Sequence, residues 1–205
     1  MVPNTRVAVV LAAGRGERLI EFSDVPKPLL PVDGVPLIER NLRCLRKAGV
    51  EEIIVVLGYR GDEIRSALTG WKGVTFVENP AWEQNSGLSL LAAREAVGGR
   101  PFFLTMADHI YSPDVLLGLQ AYVPNGHSHL AVDPNVSRVF DREHQLKVHL
   151  DGEYVMGVGR SLRHGQAVDT RIALLSQSVF SALEGLPNPR VTDGFRVLAE
   201  RRELL

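Results

Sequence analysis

The stretch Val9–Leu19, VVLAAGRGERL, decides the fold. Five apolar residues give way at once to Gly14-Arg15-Gly16-Glu17-Arg18. The apolar run reaches from Thr5 to Ala12, the signature of a strand buried on both faces. Such a strand sits inside a parallel sheet, and its carboxyl end opens on the rim where these sheets bind ligands. Glycines at 14 and 16 permit backbone geometry that side chains block. Successive N–H groups in such a turn form a concave anion site. Arg15 and Arg18 add donors that grip phosphate oxygens in pairs. Taken alone, the loop is equally a tight strand-to-helix turn with solvated arginines.

Outward from this strand the pattern alternates. LIERNLRCLRKAGV (Leu37–Val50) carries a helical stripe closed by Gly49. EEIIVVLGY is a second buried strand, GDEIRSALTG a short helix, GVTFVEN a third strand and SGLSLLAAREAVGG a helix. PFFLTMADHI is a fourth buried strand, followed by a helix with Ser112 as N-cap and Pro113 at its first position. Strands alternating with helices imply a parallel sheet with helices on both faces. From Ser128 to Leu175 the segments HLAVDP, QLKVHL, EYVMGVG and DTRIALL form a mixed, partly antiparallel extension. Helices over Ser178–Leu186 and Thr192–Leu204 close the chain.

The chain has 205 residues, 45% hydrophobic and 23% charged, with a formal net charge of −1. That suits one domain and gives no global case for nucleic acid or an anionic membrane. No segment approaches the roughly 20 apolar residues a membrane helix needs, and no signal-peptide layout is present. The expectation is a soluble cytoplasmic protein with no membrane contact. The single cysteine, Cys44, reads as a small core residue on the helical stripe, so no disulfide framework exists.

Three further segments carry candidate chemistry. Lys27, one of only four lysines, stands between Pro26 and Pro28. The prolines restrict the backbone and lower the entropy cost of aiming a point charge at a phosphate. Asp108 ends the fourth strand at the rim, where a carboxylate suits Mg²⁺ shared with substrate phosphates. His109 beside it reads as packing under a loop. Asn85, Ser86 and Ser89 offer donors and acceptors at a helix start, and Gly87 allows close approach, a pattern suited to reading a base. The absence of HExxH, CxxC, GxSxG and a lysine-bearing P-loop counts against hydrolase triads and classical ATPases.

These residues resemble a known family. LAAGRGERL…VPKPLLPVDGVPLIERNL is similar to the signature of nucleotidyltransferases that activate sugar phosphates and related phosphate esters. Within that group NSGLSLLAAREAV, PFFLTMADHIYS, VMGVGRSL and AVDT look most like inositol-1-phosphate cytidylyltransferases, in order from Val7 to about Leu204. The resemblance implies an α/β fold, a Rossmann-like mixed, mainly parallel sheet of the nucleotide-diphospho-sugar transferase type. It implies transfer of a cytidylyl group from CTP to inositol 1-phosphate, giving CDP-inositol and pyrophosphate. It places the nucleotide on Leu11, Ala12, Ala13, Gly14, Arg15 and Gly16 and on Asn85, Ser86, Gly87 and Ser89. Arg18, Lys27 and Asp108 become the catalytic set, with Asp108 the Mg²⁺ ligand, and Arg160, Asp169 and Thr170 hold the acceptor.

Three departures stand out. Arg171 replaces the glycine that commonly follows VDT, NSG replaces the commoner GNG, and no W-x-D-V-type aspartate follows AERRELL. The expected organisation is a single nucleotidyltransferase domain over residues 1–205 without that last strand. Other acceptors (a hexose 1-phosphate or phosphocholine), another nucleotide, and a catalytically weak nucleotide-binding homologue are the alternatives.

Overall fold

A computed structural model describes residues 5–17, 23–122, 126–138 and 145–205. Strand β1 (Val7–Leu11) is buried at every position. A small hairpin, β2 (Pro31–Val32) and β3 (Val35–Pro36), follows it. Then come β4 (Glu52–Leu57), β5 (Val74–Glu78) and β6 (Phe102–Met106), which with β1 form a parallel array in the order β5-β4-β1-β6. Coverage of both faces of the sheet explains why β1 reads as an uninterrupted apolar run.

The antiparallel extension consists of β7 (His129–Asp133), β8 (Lys147–Asp151), β9 (Tyr154–Gly159) and β10 (Ala167–Leu175). The last third of β10 pairs antiparallel with β6, Leu175 opposite Phe102 and Ala173 opposite Leu104. On its other edge β10 pairs with β7, through Ala173 and Leu174 as well as Val168 and Asp169, and its first two residues pair with β8. A bulge interrupts the β7 register between Asp169 and Ala173. The result is a mixed sheet, parallel where the sequence alternates with helices and antiparallel where it does not.

Alternation along β1 divides the core. Val7, Val9 and Leu11 pack with Leu90, Val97, Phe180, Phe195 and Leu198 on one face. Ala8, Val10 and Ala12 pack with Ile38, Leu42, Leu45, Ile64 and Leu116 on the other. Helices therefore cover both faces. Among the described residues no helix is long and apolar enough to cross a membrane.

Two helices differ from the sequence expectation. The Ser86–Gly99 helix divides at Ala93 into Ser86–Ala92 and Arg94–Val97, where the Ala93 amide bonds Leu90 O and tightens the turn. The final helix is Val191–Glu200, not Thr192–Leu204. Arg202 turns the chain with a φ of +56°, and Leu204 then forms a parallel bridge to Ser128. Ser128 and Leu130 of the β7 edge and Val155 of β9 take up backbone bonds from Glu203–Leu205.

A buried polar knot ties the Leu37–Lys47 helix to the end of β6. Asn41 Nδ2 donates to Met106 O at 2.8 Å, and Thr105 Oγ1 and Tyr111 Oη both donate to Asn41 Oδ1. Cys44 Sγ donates to Tyr111 O, and burial pushes the thiol pKa up, against thiolate chemistry. Replacing Asn41 by Leu strips two hydroxyls of their acceptor and leaves the Met106 carbonyl with the His109 amide alone. We expect Asn41→Leu to cost about 2 kcal/mol in denaturant unfolding, within the range for stranded buried polar groups.

Candidate active site

The carboxyl ends of β1 and β6 lie side by side because the two strands are parallel neighbours. β1 leads into the Gly14–Gly16 turn and β6 into Ala107-Asp108. Lys27 opens a short 3₁₀ turn, Lys27–Leu29, and its Nζ donates to Asp108 Oδ2 across this corner. Both side chains keep about a quarter of their surface exposed, 27% and 25%, so a ligand can reach them. A cavity of about 110 Å³ sits over the pair, walled by Leu11, Ala12, Gly14, Gly16 and Met106.

The two glycines do different work. Gly16 has φ +70°, and a Cβ there would lie 3.0 Å from Lys27 Cβ, so the loop packs on the lysine stem. Among the described residues, a Cβ on Gly14 would meet nothing within 4 Å. The fold itself does not demand glycine there, and its absence of side chain leaves the space over the pair open. Arg15 is exposed and leans its guanidinium over Tyr59, 5.6 Å from the ring centroid, and Tyr59 in turn meets Trp82 at 5.3 Å. Ala13 is buried beneath the loop. Arg18 lies outside the described residues.

His109 is not packed away as its sequence context suggests. Its ring is 37% exposed and its Nδ1 bonds Asp108 Oδ1 at 2.7 Å. Asp108 is thus held by both oxygens. Burial alone would raise its pKa, but interaction with His109 and then Lys27 outweighs this and holds the carboxyl well below the usual carboxylate range.

Asn85–Ser89 do not join this corner. Asn85 bonds Asn188 twice, its amide to Oδ1 and its Nδ2 to the carbonyl. Ser86 Oγ accepts from the Val191 amide, and buried Ser89 Oγ accepts from Asn79 Nδ2 at 2.9 Å. The close approach that Gly87 permits is made by Pro189, whose carbonyl oxygen would lie 2.5 Å from a Cβ. In this structure the loop is a seam to the 188–191 segment.

Beyond that seam lies a second cavity of about 390 Å³. Arg160, directly after β9, lines it, together with Arg171, Arg190 and Arg196. Asp169 does not face it. The carboxylate is wholly buried behind Arg171, whose amide donates to Oδ1 at 2.7 Å and whose Nε lies 3.5 Å from Oδ2. Burial raises the Asp169 pKa, partly offset by Arg171. Thr170 donates its hydroxyl to Ala131 O and so braces β7. The bulge turns Arg171, not Asp169 or Thr170, toward the cavity. Asp169 interacts electrostatically with His109, which bonds Asp108, and it backs Arg171 of the second cavity, so a chain of contacts links the two cavities.

As a metal site the corner offers one hard oxygen ligand, Asp108. No group of three or more His, Cys, Asp or Glu gathers among the described residues. One carboxylate completed by substrate phosphates and water is a donor set that Mg²⁺ accepts, and a quarter-exposed carboxylate fits that part.

Comparison with known proteins identifies the family. Residues 8–202 match the model of the MobA-like NTP transferase domain. The chain is 37% identical over 179 residues to the bifunctional IPC transferase and DIPP synthase of Rubrobacter xylanophilus, covering 86% of this chain and 40% of that protein. It is 33% identical over 195 residues to the protein of the same description from Thermococcus kodakarensis, covering 94% and 42%. It therefore spans about two fifths of the length of these relatives. The inositol-1-phosphate CTP transferase from T. maritima superposes with a TM-score of 0.85 at 25% identity, over 98% of this chain and 84% of that one.

The depressed Asp108 pKa has a pH consequence. A carboxylate lowered on folding adds stability above its unfolded pKa, about 3.9, and loses it as pH falls toward the folded value. Urea unfolding at about pH 5 and about pH 3 should show wild type losing more stability than Asp108→Asn over that interval.

Proposed function

Taking as premise that the chain belongs to the MobA-like NTP transferase family and is a nucleotidyltransferase, we propose that it transfers the cytidylyl group of CTP to inositol 1-phosphate. The products are CDP-inositol and pyrophosphate. The observation that carries this reading is the Lys27–Asp108 pair beneath the open Gly14 loop, with an arginine-lined cavity linked to it through His109 and Asp169. One corner suits a triphosphate and the other a phosphate monoester. The relatives described as IPC transferases, and the inositol-1-phosphate CTP transferase fold, support the choice of base and acceptor.

The chemistry needs no protein nucleophile. An acceptor phosphate oxygen attacks the α-phosphorus in line, the bond to the β-phosphate oxygen breaks, and pyrophosphate departs. A phosphate dianion needs no general base to attack. The chain's task is alignment and charge stabilisation. Gly14 and Gly16 offer backbone amides to the phosphates. Lys27, released from Asp108, neutralises charge that builds on the departing oxygens. Asp108 would hold Mg²⁺, which when bound supplies further positive charge at the phosphates. His109 fixes the Asp108 carboxylate through its second oxygen. Arg160 anchors the acceptor phosphate, and Arg18 completes the cationic set.

The test is pyrophosphate release with each of four nucleoside triphosphates, Mg²⁺ and inositol 1-phosphate, with the product identified by mass. CTP should be favoured and release should require the acceptor. Equal rates for all four nucleotides remove the base assignment. Lys27→Ala should lower turnover on the order of 10²-fold with little change in Tm, the usual size for one lost charge-stabilising donor. A near-normal rate returns Lys27 to the role of a surface ion pair.

A further inference from the structure

The arginine cavity carries a sharper statement about the acceptor, resting on the transferase reading above. Four guanidinium groups line it, from Arg160, Arg171, Arg190 and Arg196. Two carboxylates pair with them. Asp169 backs Arg171, and Asp193 meets Arg196 at 2.8 Å. Two positive charges are left over. A phosphate monoester carries about −1.5 to −2 at neutral pH, so one such group balances the cavity.

The rest of the lining is as informative. Ser86, Ser161 and Thr192 supply hydroxyls, and Leu146 is the apolar member. Among the described residues no carboxylate and no aromatic ring faces in. Holding an ammonium needs one or the other. The described lining therefore has means to bind a phosphate and a hydroxyl-bearing body, and offers no group that holds a cation.

Arg171 is the residue that makes this choice. It takes φ +64° at the bulge of β10, a conformation glycine adopts freely and arginine only with strain. A strained side chain at a cavity wall points to a role there, since the fold would be served by glycine. Its guanidinium is held from behind by Asp169, so its direction is set before a ligand arrives.

We propose that Arg171 selects the acceptor: it admits a phosphate monoester on a neutral polyhydroxy body and rejects esters that also carry a cationic group. Repulsion between a cationic head and a fixed guanidinium supplies the rejection, and attraction to the dianion supplies the affinity.

The test is calorimetric binding to the full chain, with inositol 1-phosphate and phosphocholine as probes, so that the result does not depend on turnover. Wild type should favour inositol 1-phosphate by on the order of tenfold or more. Arg171→Gly should lose most of that preference with only a modest fall in Tm, because relief of backbone strain offsets part of the lost Asp169 ion pair and the residue-171 amide still donates to Asp169 Oδ1. Arg171→Lys, which keeps the charge, should keep most of it. Equal affinities in wild type, no detectable binding of either ester, or a preference that survives Arg171→Gly each overturn the proposal. Selective binding without cytidylyl transfer leaves the selectivity standing and sinks the transferase reading instead.

Discussion

The contact between the Lys27 ammonium and the Asp108 carboxylate joins chain segments 81 residues apart, and the rest of the site is arranged around it. It exists only because β1 and β6 are adjacent and parallel, so that both exits open on one rim. Pro26 and Pro28 restrict the lysine backbone, and Gly16 packs on its stem. Asn41 anchors the carbonyl of Met106, two residues before the aspartate. Each support comes from a different element. Such a corner is set before ligand arrives, and a phosphate entering it meets charges already in place.

Much of this was legible in the sequence because buried parallel strands announce themselves as apolar runs and their exits mark the rim. Asp108 could be singled out from that alone, and Lys27 from its place between two prolines soon after the glycine loop. The hairpin β2–β3 was not, although Asp33-Gly34 supplies the two positive φ values its turn requires. Strands of two residues leave no periodicity to read. The Asn85–Ser89 segment looked like a ligand-reading loop because its donors and acceptors are visible locally. Their partners, Asn188, Pro189 and Val191, lie about a hundred residues later, and no local pattern encodes such a pairing. The order of Asp169, Thr170 and Arg171 misleads for another reason. A bulge resets which side chain faces out, and alternation cannot be counted through it.

The cavity beyond the seam mixes two kinds of charge. Arg171 and Arg196 are tethered by carboxylates and keep fixed directions. Arg160 has no ion-pair partner among the described residues, and Arg190 reaches only Asn85 Oδ1 at 3.4 Å. Tethered groups define where a ligand's charge must sit, and the looser pair can close on ligands of different bulk. Early chain builds the phosphate corner and late chain builds this cavity, so substitutions in one half can retune it with little disturbance of the other.

Strand β10 is the last of the described strands to be synthesised, yet it belongs in the middle of the sheet, between β6 and β8. Until residues 167–175 emerge, β6 presents a bare, strongly apolar edge, with Phe102, Phe103 and Leu104 on it. An exposed edge of that kind invites pairing with another chain. Synthesis speed across the sixty or so intervening residues (Ala107 to Gln166), and chaperone occupancy during it, therefore bear directly on how much of this protein reaches its folded form.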